Sequence, residues 1–109
     1  MLYYDRQGNP ITRERFNELD ADVSYRTVRN EYLENGLYVS TIWVGLDRGL
    51  MRLNRSLEKP IIFDTAVFED LTLIYQRYSC DEDEALSCHE DAVKEFKNRP
   101  QGAVPWVAN

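Results

Sequence analysis

The stretch 25–46 reads YRTVRNEYLE, then Asn35-Gly36, then LYVSTIWVGL. An Asn-Gly pair between two runs of strand-forming residues is a strong hairpin signal, because a two-residue type I′ turn needs positive φ at both central positions. We therefore predict a β-hairpin that turns at Asn35 and Gly36, and we expect the rest of the fold to be organised around it.

A two-residue turn also determines which residues lie opposite each other. Tyr32 would face Val39, and Asn30 would face Thr41. Because the second strand is apolar on both faces, it is predicted to be central in a sheet, whereas the mixed first strand suits an edge or near-edge position. One face of the hairpin would carry Val28, Tyr32, Leu37, Val39 and Trp43, and the other would carry Arg29, Glu31, Leu33, Tyr38, Ile42 and Val44.

The composition is that of a single globular domain. The chain has 109 residues, of which 43% are hydrophobic, and this is enough for a core without disulfides or metals. Its formal net charge of −6 disfavours binding to nucleic acid and to anionic membranes. Cys80 and Cys88 would lie about 12 Å apart on one helix, which exceeds disulfide reach, so both are predicted to be free thiols in a reducing compartment.

No targeting or cofactor motif is apparent in the chain. No apolar run approaches the length of a membrane helix, and the start MLYYD lacks the basic residues and apolar run of a secretory signal. We therefore expect a cytoplasmic protein with no membrane partner. The sequence has no phosphate-cradling glycine loop, no metal-spaced Cys/His cluster and no nucleophile elbow, so we predict no cofactor, no metal and no catalytic residue.

The remaining elements are two strands, a short helix and a long one. Thr12 can cap a helix over 13–19, and the short link between strands at 61–68 and 71–78 favours antiparallel pairing. A long helix is predicted from Ser79 or Asp81 up to Pro100. The resulting fold class is α+β: a single domain over 1–99 with a mainly antiparallel sheet of four to five strands, the long C-terminal helix on one face, the short N-terminal helix, and a tail over 100–109.

Two charged segments are candidate binding surfaces. The acidic run Asp81, Glu82, Asp83 and Glu84 stands where the long helix begins, and a capped helix start explains it as well as a binding surface does. It lacks the alternating ligands and central glycine of a calcium loop. The basic segment with Arg48, Arg52 and Arg55 reads either as a solubilising loop or as a second binding surface.

A third candidate is a pocket around His89, the single histidine of the chain. His89 falls on the apolar stripe of the long helix, so a neutral core histidine with a hydrogen-bond partner is the first interpretation, and a general base or pH switch is the alternative. Asp64 and Arg77 lie within apolar strands and can form a cross-strand ion pair. The alternative pocket would contain His89, Asp64, Arg77 and Trp43 at the seam between sheet and helix.

Several motifs in order along the chain resemble a family of small proteins of actinobacterial phages and related bacterial genomes. The resemblance covers about residues 4–95 and implies an origin, since that family has no established activity. One departure is Arg48, where a histidine often follows the Leu-Asp pair. The matching residues are Tyr4-Asp5-x-x-Gly8-x-Pro10-Ile11, Val39-Ser40-Thr41-x-Trp43-x-Gly45-Leu46-Asp47, Pro60-Ile61-Ile62-Phe63-x-Thr65-x-Val67-Phe68, Arg77-Tyr78 and Glu84-Ala85-Leu86-x-x-His89.

The functional hypothesis that follows is a phage or prophage accessory protein that binds a host or phage protein in the host cytoplasm, with antagonism of a host factor as one such role. The first alternative is a small-ligand binder or enzyme with a pocket at His89. The second is a structural or virion-associated protein. A homodimer through the free face of the sheet is compatible with the first and last of these.

Overall fold

The computed structural model describes residues 2–47 and 59–99. The predicted α+β architecture is confirmed, with four antiparallel strands in the order β3-β4-β5-β6 and the long helix α3 on one face of the sheet. The elements are β1 (Tyr3–Tyr4), β2 (Pro10–Ile11), α1 (Arg13–Asp20), α2 (Val23–Arg26), β3 (Thr27–Tyr32), β4 (Tyr38–Trp43), β5 (Phe63–Glu69), β6 (Thr72–Ser79) and α3 (Glu82–Phe96). Strands β1 and β2 form a separate small hairpin.

The turn between β3 and β4 differs from the predicted two-residue turn. The Leu33 N–H donates to the Leu37 carbonyl at 2.8 Å, and the Gly36 N–H donates to the Leu33 carbonyl at 2.9 Å. Gly36 has φ 88°, and Asp70 is the one described non-glycine residue with positive φ. Asn35 therefore does not adopt the conformation of a type I′ turn. The loop has three residues, a type I turn closed by a left-handed glycine.

This longer turn shifts the pairing of β3 by one residue. Tyr32 lies opposite Tyr38, and Glu31 lies opposite Val39. Because successive strand residues point to opposite faces, a shift of one residue exchanges the two faces of β3. Arg29 and Glu31 consequently lie on the same face as Val39, toward α3, whereas the predicted register placed them on the face opposite Val39.

The reason that Asn35 is not used as a left-handed turn residue is its contact with α3. Its Nδ2 donates to the carbonyls of Phe96 and Arg99, both at 2.8 Å, and its Oδ1 accepts from the Leu37 N–H at 3.2 Å. Carbonyls at a helix C-terminus have no partner within the helix. Asn35 supplies that partner and ties the hairpin to the end of α3.

Two apolar clusters form the core beneath α3. The first holds Leu37, Val39, Val67, Ile74, Ala92 and Phe96, and the second holds Leu19, Trp43, Ile62, Phe63 and Ala85. Between them, at the middle positions of β4 and β5, lie the fully buried hydroxyls of Thr41 and Thr65 together with His89 of α3. The core is therefore interrupted at its centre by a polar layer, which must satisfy its own hydrogen bonds.

Trp43 anchors the N-terminal elements to the sheet. Its Nε1–H donates to the Tyr4 carbonyl at 3.0 Å, and its ring meets Tyr25 edge-on at a centroid distance of 5.0 Å. Phe16 of α1 lies 5.6 Å from the same ring. These contacts give Trp43 a packing role at the end of the sheet.

Candidate functional site

The central polar layer is a chain of four side chains that crosses the core. His89 Nδ1 lies 2.8 Å from Thr41 Oγ1, and Thr41 Oγ1 lies 2.9 Å from Thr65 Oγ1. On the other side of the ring, His89 Nε2 lies 2.9 Å from Glu31 Oε1. His89 has 0% of its surface exposed, whereas the Glu31 side chain is 34% exposed. The chain therefore runs from the interior to a half-buried carboxylate at the edge strand.

Every member of this chain can be satisfied with neutral His89. The ring donates from Nε2–H to the Glu31 carboxylate, Thr41 donates to Nδ1, and Thr65 donates to Thr41. Both ring nitrogens are thus engaged within the protein, which is the arrangement of a structural histidine rather than of a general base that faces a substrate.

The alternative pocket residues do not come together around His89. Asp64 points to the opposite face of the sheet and accepts from Gln76 Nε2 at 2.8 Å. Arg77 reaches toward Asp91 of α3 at 3.8 Å, and Trp43 belongs to the second apolar cluster. Asp64 and Arg77 also do not pair with each other, because they occupy adjacent register positions and so point to opposite faces.

Cys88, which precedes His89 on α3, is a buried free thiol. Burial raises the pKa of the Cys88 thiol, and the Arg77 guanidinium only partly opposes this effect. The proximity of Cys88 is in turn the largest cause of the raised pKa of Arg77. A reactive cysteine needs a lowered pKa and access to solvent, and Cys88 has neither.

The acidic run at the start of α3 is largely used within the protein. Asp81 caps the helix by accepting from the Glu84 N–H at 2.9 Å, and Glu84 Oε1 accepts from the N–H of Cys80, the residue before the cap, at 2.8 Å. Glu82 pairs with Arg6 at 2.9 Å. Asp83 is the exposed remainder of the run. The other predicted binding residues, Arg48, Arg52 and Arg55, lie outside the described residues.

Two clefts follow the seam between β3 and α3. The first has a volume of about 350 Å³ and is lined by Arg29, Glu31, His89, Glu90, Val93 and Lys94. The second has a volume of about 380 Å³ and is lined by Glu31, Tyr32, Leu33, Glu34, Lys97 and Asn98. Since both include Glu31, the two clefts adjoin along the outer edge of β3. We call them together the seam groove.

The face of the sheet opposite α3 carries a row of apolar side chains across all four strands. Tyr32 lies opposite Tyr38, Tyr38 opposite Phe68, and Phe68 opposite Leu73. The Tyr32 and Tyr38 rings are 4.6 Å apart, and the Tyr38 and Phe68 rings are 6.5 Å apart. The two outer members are well exposed, Tyr32 at 76% and Leu73 at 46%. We call these four residues the aromatic row.

The aromatic row was not predicted as such from the sequence. An aromatic free face was an expectation, but the predicted register placed Tyr32 and Tyr38 on opposite faces. The signal that could have found it is a turn three residues long, which would have brought both tyrosines to one face.

Neither a metal centre nor a membrane span is found in the described ranges. Within residues 2–47 and 59–99, no group of three or more His, Cys, Asp or Glu side chains is arranged to hold a metal ion. In the same ranges no helix is long and apolar enough to cross a membrane.

Comparisons of this chain with protein-family models, with curated proteins and with solved structures found no match.

Proposed function

We propose that this chain is a small protein-binding domain that contacts a host or phage protein through the aromatic row. The observation that carries the proposal is the alignment of Tyr32, Tyr38, Phe68 and Leu73 across all four strands on the face opposite α3. A sheet face that turns a continuous apolar row outward loses the free energy of burying it, unless a partner covers it. Aromatic residues are also enriched at the centres of protein interfaces.

The chemistry of the partner follows from the charge of the chain. A net charge of −6 favours a protein with an apolar centre and a cationic rim. Two exposed acids, Glu34 and Asp70, stand in the two turns at the end of the sheet that carries the aromatic row. The resemblance to phage proteins supports a partner in the host cytoplasm, including a host factor that the binding would antagonise.

The alternative of a ligand binder or enzyme centred on His89 has less support. His89 is fully buried, both of its ring nitrogens have protein partners, and Asp64 lies on the other face of the sheet. A virion-associated role would use the same aromatic row and would be recognised by co-purification with particles.

The proposal is tested by capture from host and phage-infected lysates with the purified chain as bait. The variants are Leu73→Asp, which changes the aromatic row, and Val23→Asp as the matched control. Val23 is also an exposed apolar residue, at 63%, but it lies on α2 away from the row. A partner that is lost with Leu73→Asp, retained with Val23→Asp, and bound again when both proteins are purified supports the proposal.

The same pair of variants tests self-association. Sedimentation of the chain alone over a range of concentrations would show a dimer that Leu73→Asp dissociates if a second copy covers the row. That result would replace the heterologous partner with a homodimer. Equal capture by both variants would contradict the proposal for the aromatic row altogether.

A further inference from the structure

Strand β3 lies at the edge of the described sheet, where it pairs with β4 alone. An edge strand presents unpaired N–H and C=O groups that can pair with another strand. Charged side chains on an edge usually oppose such pairing. Here Arg29 and Glu31 point toward α3, where Glu31 contacts His89 and Arg29 lies 3.9 Å from Glu90. These inward-pointing charges and the β-bulge between Thr27 and Arg29 limit pairing at the start of the strand, so the accessible edge runs over residues 30–34, beside the groove.

The seam groove runs beside this edge on the side of α3. Its two clefts of about 350 and 380 Å³ adjoin at Glu31 and extend from Arg29 to Asn98. Val93, half-buried and packed on the first apolar cluster, supplies an apolar floor on the helix side. A groove between an edge strand and a helix is the shape that receives an added strand, with the backbone on the edge and alternate side chains in the groove.

Some charged side chains along the groove form ion pairs within the protein and others do not. Arg29, Glu31 and Glu90 are linked to one another or to His89. Among the described residues, Lys94 and Lys97 on the helix wall and Glu34 at the opposite side take part in no ion pair. Two cations on one wall of a groove favour a ligand that brings carboxylates to that wall.

We propose that the seam groove binds an extended, acidic segment of a partner protein as an added strand on β3. An apolar side chain of the segment covers Val93, and a carboxylate two residues away reaches Lys97. This site is separate from the aromatic row, apart from Tyr32, which borders both. The seam groove can therefore bind its ligand whether or not the aromatic row binds a partner.

The spacing of Val93 and Lys97 along α3 agrees with such a ligand. Val93 and Lys97 are four residues apart on α3, which is about 6 Å along the helix axis. Two residues of an extended strand span about 6.7 Å. Consecutive side chains on one face of an added strand therefore match the apolar and cationic positions of the helix wall.

The test uses the full ¹⁵N-labelled chain and a synthetic peptide that is the same in both directions: acetyl-Thr-Glu-Thr-Val-Thr-Glu-Thr-amide. Its symmetry makes the result independent of whether the added strand is parallel or antiparallel. The control peptide has both Glu replaced by Lys. We expect amide shifts confined to 29–34 and 89–98 at millimolar peptide, and affinity for the acidic peptide at least tenfold above that for the lysine peptide.

A backbone readout separates strand addition from simple charge attraction. Two further versions of the acidic peptide carry methyl groups on backbone nitrogens. In the first, the methylated residues are the two Glu and the Val, which face the groove. In the second, they are the four Thr. Because alternate N–H groups of an added strand point to its neighbour, one of these probes should lose binding and the other should keep it. Equal binding of the two would overturn strand addition.

Charge variants complete the test. Lys94→Glu together with Lys97→Glu should reverse the preference, so that the lysine peptide binds more tightly. Arg13→Glu, an exposed basic residue of α1, is the matched control and should leave the preference unchanged. The absence of shifts along β3 and α3, or a preference that the double variant does not alter, would overturn the proposal. Leu73→Asp, which changes the aromatic row, should leave peptide binding to the seam groove unchanged. A negative result for the aromatic row is therefore distinguishable from a negative result for the seam groove.

Discussion

Glu31 Oε1 lies 2.9 Å from His89 Nε2, and this contact joins the edge strand β3 to the centre of α3 across 58 positions of the chain. It is the outer end of the polar chain that passes through Thr41 to Thr65. A carboxylate on an edge strand and a fully buried histidine thus hold the sheet and the helix together at the point where the apolar core is interrupted.

Replacement of the histidine should be costly. His89→Ala leaves a cavity and removes the partner of the buried Thr41 hydroxyl, and we expect a loss of about 3 kcal/mol in the free energy of unfolding. Glu31→Gln keeps an oxygen that accepts the Nε2–H and should cost about 1 kcal/mol or less. Urea denaturation followed by tryptophan fluorescence measures both. Equal losses for the two variants would mean that the carboxylate charge is what matters.

The turn residue Asn35 should be required for its side chain rather than for its backbone. Asn35→Ala removes the donor to the Phe96 and Arg99 carbonyls, and we expect a loss of about 1–2 kcal/mol in unfolding free energy. Asn35→Asp should cost more, since a carboxylate would face those carbonyls. Asn35→Gly is the discriminating control: a type I′ turn would tolerate glycine there, whereas the observed contact predicts a loss similar to that of alanine.

These two sites show what could and could not be predicted from the sequence. Local patterns located the four strands of the main sheet, the short helix with its Thr12 cap, and the long helix with its Asp81 cap, because each depends on neighbouring residues. Helix α2 and strand β2 were not predicted. The register of β3 depends instead on Asn35, whose partners lie 61 and 64 positions away. No local pattern contains that information.

The partner of His89 also depends on register. The predicted register placed Glu31 on the face opposite Val39 and Thr41, whereas Asp64 and Arg77 were selected as charged residues within apolar strands. The burial of His89 followed from the apolar stripe of α3 and needed no register. The aromatic row, which joins all four strands, could be found only once the pairing of every strand was known.

Two glycines with similar backbone angles should respond differently to alanine. Gly8 has φ 86° and open space around it, whereas Gly45 has φ 75° and a Cβ there would lie 2.6 Å from Trp43 and 2.7 Å from Phe16. Gly8→Ala should cost about 1 kcal/mol, from the backbone alone. Gly45→Ala adds a clash with two rings that fix α1 to the sheet, and we expect a loss of about 3 kcal/mol or more. Thermal unfolding of both variants measures the difference. Similar losses would show that the rings move apart without cost.

The two cysteines should be distinguished by a thiol reagent. Cys88 is buried, and burial raises the pKa of its thiol above the ordinary value of 9.0, whereas Cys80 is half-buried at the start of α3. We expect one thiol per chain to react with a disulfide reagent at pH 8, and Cys80→Ser should abolish that reaction. The second thiol should appear only when urea unfolds the chain.

The raised pKa of Cys88 also sets the direction of a pH effect on stability. The folded chain holds the thiol proton more tightly than the unfolded chain, so this contribution is fully present below pH 9 and is lost as the pH rises through the folded pKa. We expect the unfolding free energy of the wild-type chain to fall more steeply as the pH rises above 9 than that of Cys88→Ala. Arg77→Gln removes the charge that lowers the thiol pKa, so it should steepen the fall further. A Cys88→Ala variant with the same slope as the wild type would show that other groups carry the pH dependence.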